Sequence, residues 1–158
     1  MNDDNERLPN TRAAAQKVPP KPLPRPQDPI EQEFWNRCQD GYLYFQRCGS
    51  CSTFRHLPRY MCAKCGSPEF SWERSTGKGT LFSWTVTHQA LHSAFAEDLP
   101  FIAAVVELEE GVRMATRLID CDRDTLELDL PVELDFEPIS PEFRLPVFRP
   151  DMNRREKR

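Results

Sequence analysis

The 158-residue sequence predicts a mainly β protein in which an N-terminal helix and a zinc ribbon precede a C-terminal barrel of the OB type. Two C-x-x-C pairs between residues 48 and 65 indicate the ribbon. Short segments of alternating apolar and polar residues within 72–150 indicate the barrel. Several short antiparallel strands in so small a segment favour a barrel, and a β-sandwich fragment is the competing interpretation.

Composition and pattern divide the chain into five consecutive segments. Residues 1–27 hold six prolines and no apolar periodicity, so we expect an extended, Pro-rich tail. A helix (28–41), the ribbon (42–71) and the OB-fold (72–150) follow, and a charged tail (151–158) ends the sequence.

The helix over residues 28–41 is predicted from its start signals and its apolar stripe. Asp28 can cap the N-terminus and Pro29 fits the first turn. The apolar residues recur at helical spacing, namely Ile30, Phe34, Trp35 and Cys38. Phe34 and Trp35 make this face aromatic, so it can pack either on its own domain or on a partner.

The two cysteine pairs predict a metal site of four sulfur ligands. Cys48, Cys51, Cys62 and Cys65 fit the pattern C-x2-C-x10-C-x2-C, in which each pair directs two thiolates at one ion. Zinc is the expected ion, and iron in the same geometry is an alternative that the spacing leaves open. Four sulfurs leave no open position for water, so we expect a structural role.

The predicted barrel strands follow the second cysteine pair. Residues 82–87 and 132–137 alternate as half-buried strands, and residues 100–119 form a hairpin around a Glu-Glu-Gly turn. Gly77 and Gly79 predict a turn or bulge where the first of these strands begins. The last apolar stretch, RLPVFRP, is interpreted only as a short anchor.

Composition and charge argue against several classes of function. The formal net charge is −4, and residues 97–142 hold fourteen Asp or Glu against three Lys or Arg, so a nucleic-acid groove is disfavoured. No apolar run approaches the roughly 20 residues of a membrane span, and no secretory signal is visible, so we expect a cytoplasmic protein. No arrangement of side chains indicates a catalytic residue.

The order of these features resembles the DUF35 family, in which a rubredoxin-like zinc ribbon is joined to an OB-fold. The resemblance covers about residues 28–150. The matching pieces are FW, RCGSC, PRYMCAKCGS, GKGTLFSWTVTH, LPFIAAVVELEEG and LPVFRP. One departure is the turn before the strand PVELDF, where many relatives carry a glycine and this chain has Asp129, Leu130 and Pro131.

The resemblance implies a non-catalytic subunit of a thiolase-like enzyme. Such proteins assemble with a catalytic subunit that acts on acyl-CoA, as a thiolase or a retro-aldolase, in a hetero-oligomer such as a heterotetramer. The small subunit helps to form the acyl-CoA path and stabilises the complex. Two alternatives stay open: a free-standing acyl-CoA or lipid carrier, and a module that binds single-stranded nucleic acid.

The resemblance also suggests candidate contact residues for CoA and for the partner. The expected contacts to CoA phosphates are the basic residues of the ribbon and its neighbourhood, namely Arg47, Arg55, Arg59, Lys64 and Lys78. The expected partner contacts are aromatic, namely Phe34, Trp35, Phe54 and Tyr60.

Overall fold

A computed structural model describes residues 18–155 of the chain, so the first 17 residues of the predicted tail lie outside the described part. Its helices and strands are α1 (Pro29–Gln39), β1 (Tyr44–Cys48), β2 (Phe54–Arg55), β3 (Phe70–Arg74), β4 (Lys78–Thr87), β5 (Phe101–Leu108), β6 (Arg113–Leu118), β7 (Pro131–Ser140), β8 (Phe143–Pro150) and α2 (Met152–Arg155). Short 3-10 helices lie at Ser93–Asp98 and Arg123–Thr125. None of the helices in this part of the chain is long and apolar enough to cross a membrane.

Helix α1 begins where the sequence predicts. The Asp28 carboxylate accepts the backbone N–H groups of Ile30 and Glu31 at 2.9 and 3.0 Å, which satisfies two donors that the first turn leaves free. The stripe of Ile30, Phe34 and Cys38 is buried, and the helix packs on β8 and β1. The helix therefore joins the ribbon to the barrel.

The ribbon is a three-stranded antiparallel sheet in the order β2-β1-β3. Gln46 of β1 is fully buried, and its side-chain oxygen accepts the backbone N–H of Arg59 at 2.8 Å. This bond ties the loop between β2 and the second cysteine pair to the central strand, so the loop has a fixed position beside the barrel.

The remaining strands close a five-stranded barrel in the order β4-β5-β6-β8-β7. All pairs are antiparallel except β6 with β8, where Leu118 is the partner of Phe148. A closed five-stranded barrel of this kind is an OB-fold, so the barrel prediction is confirmed and the sandwich alternative is wrong. Inside the barrel lie the buried apolar residues Leu81, Val106, Met114, Val132 and Phe148.

Strand β8 is more than the short anchor that the sequence suggested. It pairs with β7 along most of its eight residues and supplies the parallel pair with β6. Two features explain why the sequence pattern did not indicate a full strand here. Pro146 argues against a strand, and the consecutive burial of Pro146, Val147 and Phe148 breaks the expected alternation.

The turn that departs from the family pattern keeps the geometry that glycine favours. Asp129 has a φ of +62°, and its backbone N–H donates to the carbonyl of Leu81 at 2.9 Å. Aspartate tolerates this left-handed conformation better than most side chains. The departure therefore leaves the connection into β7 intact.

Gly79, at the start of β4, packs too closely on β5 to accept a side chain. A Cβ atom there would lie 2.5 Å from the carbonyl oxygen of Glu107 and 2.9 Å from a methyl group of Val106. We expect Gly79→Ala to lower the free energy of unfolding by about 2 kcal/mol or more, measured by urea denaturation.

Gly111→Ala is the matched control for Gly79→Ala. Gly111 has a φ of +77° but no atom within 4 Å of its Cβ position, so only backbone strain of about 1 kcal/mol is expected. Equal losses in the two variants would contradict the clash at Gly79.

Candidate metal centre and neighbouring clefts

The four predicted ligands converge on one point. Their sulfur atoms all lie within 4.8 Å of one another, with Cys48 and Cys65 at 3.5 Å and Cys51 and Cys62 at 3.6 Å. A tetrahedral ion with metal–sulfur bonds of about 2.3 Å requires sulfur–sulfur separations of roughly 3.8 Å. A disulfide would need about 2.05 Å, and all these cysteines are free thiols. The set fits one closed zinc ion.

The two cysteine pairs sit on similar turns. The backbone N–H of Ser52 donates to the carbonyl of Cys48 at 3.0 Å, and that of Gly66 donates to the carbonyl of Cys62 at 2.8 Å. Both donors have positive φ, +60° at Ser52 and +75° at Gly66. The backbone thereby folds around the first cysteine of each pair and directs its thiol towards the other pair.

The first ligand is prepared for metal by its own turn. Hydrogen bonds to sulfur, first from the backbone N–H of Cys51 and then from the backbone of Ser50 and the side chain of Arg55, lower the pKa of the Cys48 thiol to about 5 because they favour the thiolate. Zinc binds the thiolate rather than the thiol. The turn therefore lowers the cost of deprotonation when the ion binds.

Arg55 braces the ribbon from inside. Its side chain is 5% exposed, although it also lines the cleft described next. The guanidinium donates to three backbone carbonyls, those of Arg59 at 3.3 Å, Ser67 at 3.4 Å and Glu69 at 2.9 Å. These carbonyls belong to the segment that carries the second cysteine pair, so the Arg55 charge is used within the fold.

Three of the predicted basic residues share a cleft, which we call the basic cleft. It lies between the ribbon loop and the β5–β6 turn, holds about 480 Å³, and its basic lining residues are Arg55, Arg59, Lys64 and Arg113. Arg113 comes from β6, and the sequence reasoning missed it because nothing local connects it to the ribbon. It also pairs with Glu107 at 3.3 Å.

The remaining two candidate CoA contacts lie outside the basic cleft. Arg47 forms an ion pair with Glu73 at 3.1 Å on the ribbon sheet. Lys78 lines a separate depression with Tyr42 and Leu134. The structure therefore does not bring the five predicted residues into a single site.

The aromatic residues expected at a partner surface differ in exposure. Phe34 is 2% exposed and packs against Trp35 and His56, with ring centroids 5.1 and 5.7 Å apart, so it belongs to the core. This burial corrects its placement on a docking surface. Phe54 and Trp35 are half-buried, and Tyr60 is 55% exposed on the ribbon loop.

A second cleft, which we call the apolar cleft, lies where α1 and the ribbon loop meet the outer face of the barrel. It holds about 450 Å³. Its apolar lining comes from seven elements or connections, and the main contributors are Trp35, Leu57, Phe95, Phe101, Ala103, Ala115, Ile139 and Leu145. Because these residues are scattered along the sequence, no local pattern could predict the site.

His56 lies between the two clefts and lines both. Its ring contacts Phe34 and Phe45, with centroids 5.7 and 5.4 Å away. Burial lowers the pKa of His56 from 6.5 to about 4, and the Arg59 charge acts in the same direction. The imidazole is therefore neutral at pH 7.

The lowered pKa of His56 predicts a loss of stability in acid. Between pH 6.5 and about 4 the unfolded chain binds a proton at His56 that the folded chain does not, so stability is complete above pH 6.5 and falls below it. We expect His56→Phe to unfold with a weaker dependence on pH than the parent between pH 7.5 and 5, in paired urea titrations. Identical pH dependence in the two proteins would contradict a buried, neutral His56.

A four-cysteine zinc ribbon followed by a five-stranded OB barrel defines a recognisable class of two-module proteins. Residues 35–71 match the family described as the ChsH2 rubredoxin-like zinc ribbon domain, and residues 72–137 match the ChsH2 C-terminal OB-fold domain. The chain belongs to the DUF35 family, as the sequence resemblance predicted.

The relatives that the chain resembles carry two kinds of name. It is 39% identical over 139 residues to a probable enoyl-CoA hydratase alpha subunit of Thermomonospora curvata, covering 87% of this chain but only 43% of that protein. It is 32% identical to a DUF35 domain-containing scaffold protein of Methanocaldococcus jannaschii, covering 66% of this chain and 75% of the relative. The chain thus spans less than half of the hydratase subunit and most of the scaffold protein.

A solved structure resembles this protein over nearly the whole length of the solved chain. A chain of the Ltp2-ChsH2(DUF35) aldolase superposes with a TM-score of 0.71 and 38% identity. The match covers 80% of this chain and 98% of that one.

Proposed function

We propose that this protein is a non-catalytic zinc-binding subunit of a thiolase-like hetero-oligomer that acts on acyl-CoA. In this role it helps to form the acyl-CoA binding path and stabilises the complex. The observation that carries the proposal is the likeness, at 38% identity, to 98% of a chain from the Ltp2-ChsH2(DUF35) aldolase, whose name includes a second component, Ltp2.

The chemistry of the metal centre supports a role outside catalysis. Four sulfur ligands fill a tetrahedral ion, so it has no position for a water or a substrate carbonyl. Within residues 18–155, no histidine is hydrogen bonded to a thiol or hydroxyl group, which is the pairing that activates a nucleophile. His56 is half-buried and packs against the rings of Phe34 and Phe45, and the ring of His92 accepts the backbone N–H of Ala94. The catalytic residues are therefore assigned to the partner.

The basic cleft is the best candidate for the CoA phosphates. Arg59, Lys64 and Arg113 line one cavity, and guanidinium and ammonium groups make charge-assisted hydrogen bonds to phosphate oxygens. The cleft joins the ribbon loop to the barrel, so a ligand there would contact both modules. A heterotetramer with two copies of each subunit is the proposed assembly.

Assembly with a thiolase-like protein tests the proposed function. The chain and a thiolase-like protein from the same genome are co-expressed, and the pair is analysed by size-exclusion chromatography with light scattering. We expect a stable complex, thioester cleavage or aldol cleavage only when the thiolase-like protein is present, and no activity from this chain alone. Two proteins that elute separately at micromolar concentration would overturn the proposal.

Charge reversal in the basic cleft tests the CoA contact. We expect Arg59→Glu combined with Lys64→Glu to weaken CoA binding by about tenfold, measured by calorimetry on the complex, because two phosphate contacts become repulsive. Arg74→Glu is the control, since Arg74 is exposed and lies over Tyr42, away from the cleft. Equal affinity in all three proteins would remove the basic cleft from the CoA path.

A further inference from the structure

The apolar cleft is a preformed cavity to which the proposed function above assigns no part of the ligand. Its floor includes Ala103 of β5 and Ala115 of β6, which lie on the outer face of the barrel. Their small side chains leave a hollow between the larger walls of Trp35, Phe95 and Phe101. The volume of about 450 Å³ lies in the range of small-molecule sites.

The charged groups at the rim of the apolar cleft neutralise one another. Lys21 lies 2.7 Å from Asp98, and Arg117 lies 3.6 Å from Asp98 and 3.4 Å from Glu137. Two cations and two anions are thus paired and half-buried, so the cleft has no free charge for a carboxylate or phosphate. The group that fits inside is neutral and apolar.

The apolar cleft and the basic cleft are neighbours across the ribbon loop. His56 lines both of them, while Leu57 faces the apolar side and Arg59 the basic side. A ligand with a neutral apolar part and a phosphate-bearing part can therefore occupy both clefts at once. A free fatty acid matches this pattern less well, because its charge lies directly at the end of the apolar chain.

The Pro-rich segment contributes to the apolar cleft from outside the barrel. Residues 18–27 precede α1, and Lys21 of this segment lies over the ring of Phe95, 5.8 Å from its centroid. Its ion pair with Asp98 fixes the segment at the rim. Lys21 of the predicted tail thus contributes to the rim of the site.

We infer that the apolar cleft binds the acyl group of a thioester ligand, with space on the order of fifteen carbon atoms at the packing density of protein interiors. The inference deepens the proposed function and rests on it for the ligand class. It assigns recognition of the apolar part of the ligand to this chain, with Ala103 and Ala115 determining the size that is accepted. The neutral rim excludes ligands that carry a charge within the apolar part.

Direct titration of the zinc-loaded full chain tests the inference. The probes are octanoyl-CoA, CoA and 1-octanol, followed by calorimetry and by the fluorescence of Trp35, which lines the cleft. We expect octanoyl-CoA to bind at least about tenfold more tightly than CoA, and 1-octanol to compete with it, because the octanoyl chain is transferred from water to the cleft.

Two Ala→Leu substitutions, one in the floor of the apolar cleft and one outside it, serve as matched variants. Residue 103 faces outward from the barrel, so Ala103→Leu adds bulk to the cleft and not to the barrel core. We expect it to weaken the binding of octanoyl-CoA and of 1-octanol by about tenfold and to leave the affinity for CoA unchanged. Ala96→Leu makes the same substitution at an exposed position outside the cleft and is expected to change neither. Thermal melting confirms that both variants fold.

The outcomes separate this inference from the proposed function. Equal binding of CoA and octanoyl-CoA, or no binding of any probe, overturns the inference even where the complex with the thiolase-like protein forms. Loss of that complex in Ala103→Leu without any probe binding would instead make the cleft a protein-docking surface. Probe binding that Ala103→Leu weakens, together with failure of the complex to form, would support the inference and overturn the scaffold role.

Discussion

Replacing Cys48 with serine is expected to release the metal ion and unfold the ribbon. The hydroxyl group is a far weaker ligand than the thiolate, so the ion keeps only three strong ligands and binds less tightly. Without the ion, the three remaining thiols, which lie within 4.8 Å of one another, are no longer held together. The ribbon buries few apolar side chains of its own, so its folding depends on metal binding. Elemental analysis should give one zinc per parent chain and much less than one in the variant.

The barrel is expected to outlast the ribbon in Cys48→Ser. Its five strands close on themselves and enclose their own core, which includes Leu81, Val106 and Phe148. Hydrogen exchange should therefore lose protection in residues 44–74 while much of the protection in β4 to β8 remains.

Cys121→Ser is the control for loss of the metal. Cys121 is half-buried and lies outside the four-sulfur set. This variant should retain zinc and protection throughout. A Cys48→Ser protein with a full complement of zinc and an unchanged melting temperature would disprove the structural role of the site.

Replacing Arg55 with leucine is expected to destabilise the ribbon by about 3 kcal/mol, although Arg55 does not bind the metal. The substitution leaves the partly buried carbonyls of Arg59, Ser67 and Glu69 without their shared donor. It also removes a side-chain hydrogen bond that helps to lower the pKa of Cys48. Zinc transfer to a chromogenic chelator should become faster, and urea denaturation should occur at a lower midpoint.

Two neighbouring variants test whether Arg55 acts through this geometry. Arg59→Leu removes a charge from the same loop, but the Arg59 side chain makes only an exposed hydrogen bond to the carbonyl of Leu57 at 3.4 Å. It should retain the stability and zinc of the parent. Arg55→Lys keeps the charge without the guanidinium fork and should fall between the two. Equal stability of Arg55→Leu and Arg59→Leu would show that the buried bonds contribute nothing.

The position of Arg55 changes what the sequence suggested about the loop between the cysteine pairs. The sequence places Arg55 and Arg59 together as basic residues that face a ligand. In the structure both residues line the basic cleft, but Arg55 is buried and hydrogen bonded within the ribbon whereas Arg59 is exposed. Arg55 is buried because the segment that carries the second cysteine pair returns towards β2. This return brings the carbonyls of Arg59, Ser67 and Glu69 within hydrogen-bond distance of the Arg55 guanidinium.

Features that depend on near neighbours in the chain could be predicted from sequence. The metal ligands belong to two turns of four residues each, 48–51 and 62–65. In each turn the C-x-x-C spacing directs both thiolates to the same side. The capping of α1 by Asp28 is equally local. The alternation in β5 and β6 follows from the two-residue period of a strand and one buried face.

Tertiary structure alone decided which distant residues share a site. The pairing of β6 with β8 makes a strand of a proline-containing segment that has no strand pattern, because the closing barrel needs a partner at that edge. Arg113 joins Arg59 in the basic cleft only because the β5–β6 turn reaches the ribbon. The apolar cleft arises where α1, the ribbon loop and the barrel meet, and a cavity between three surfaces depends on their packing rather than on any local periodicity.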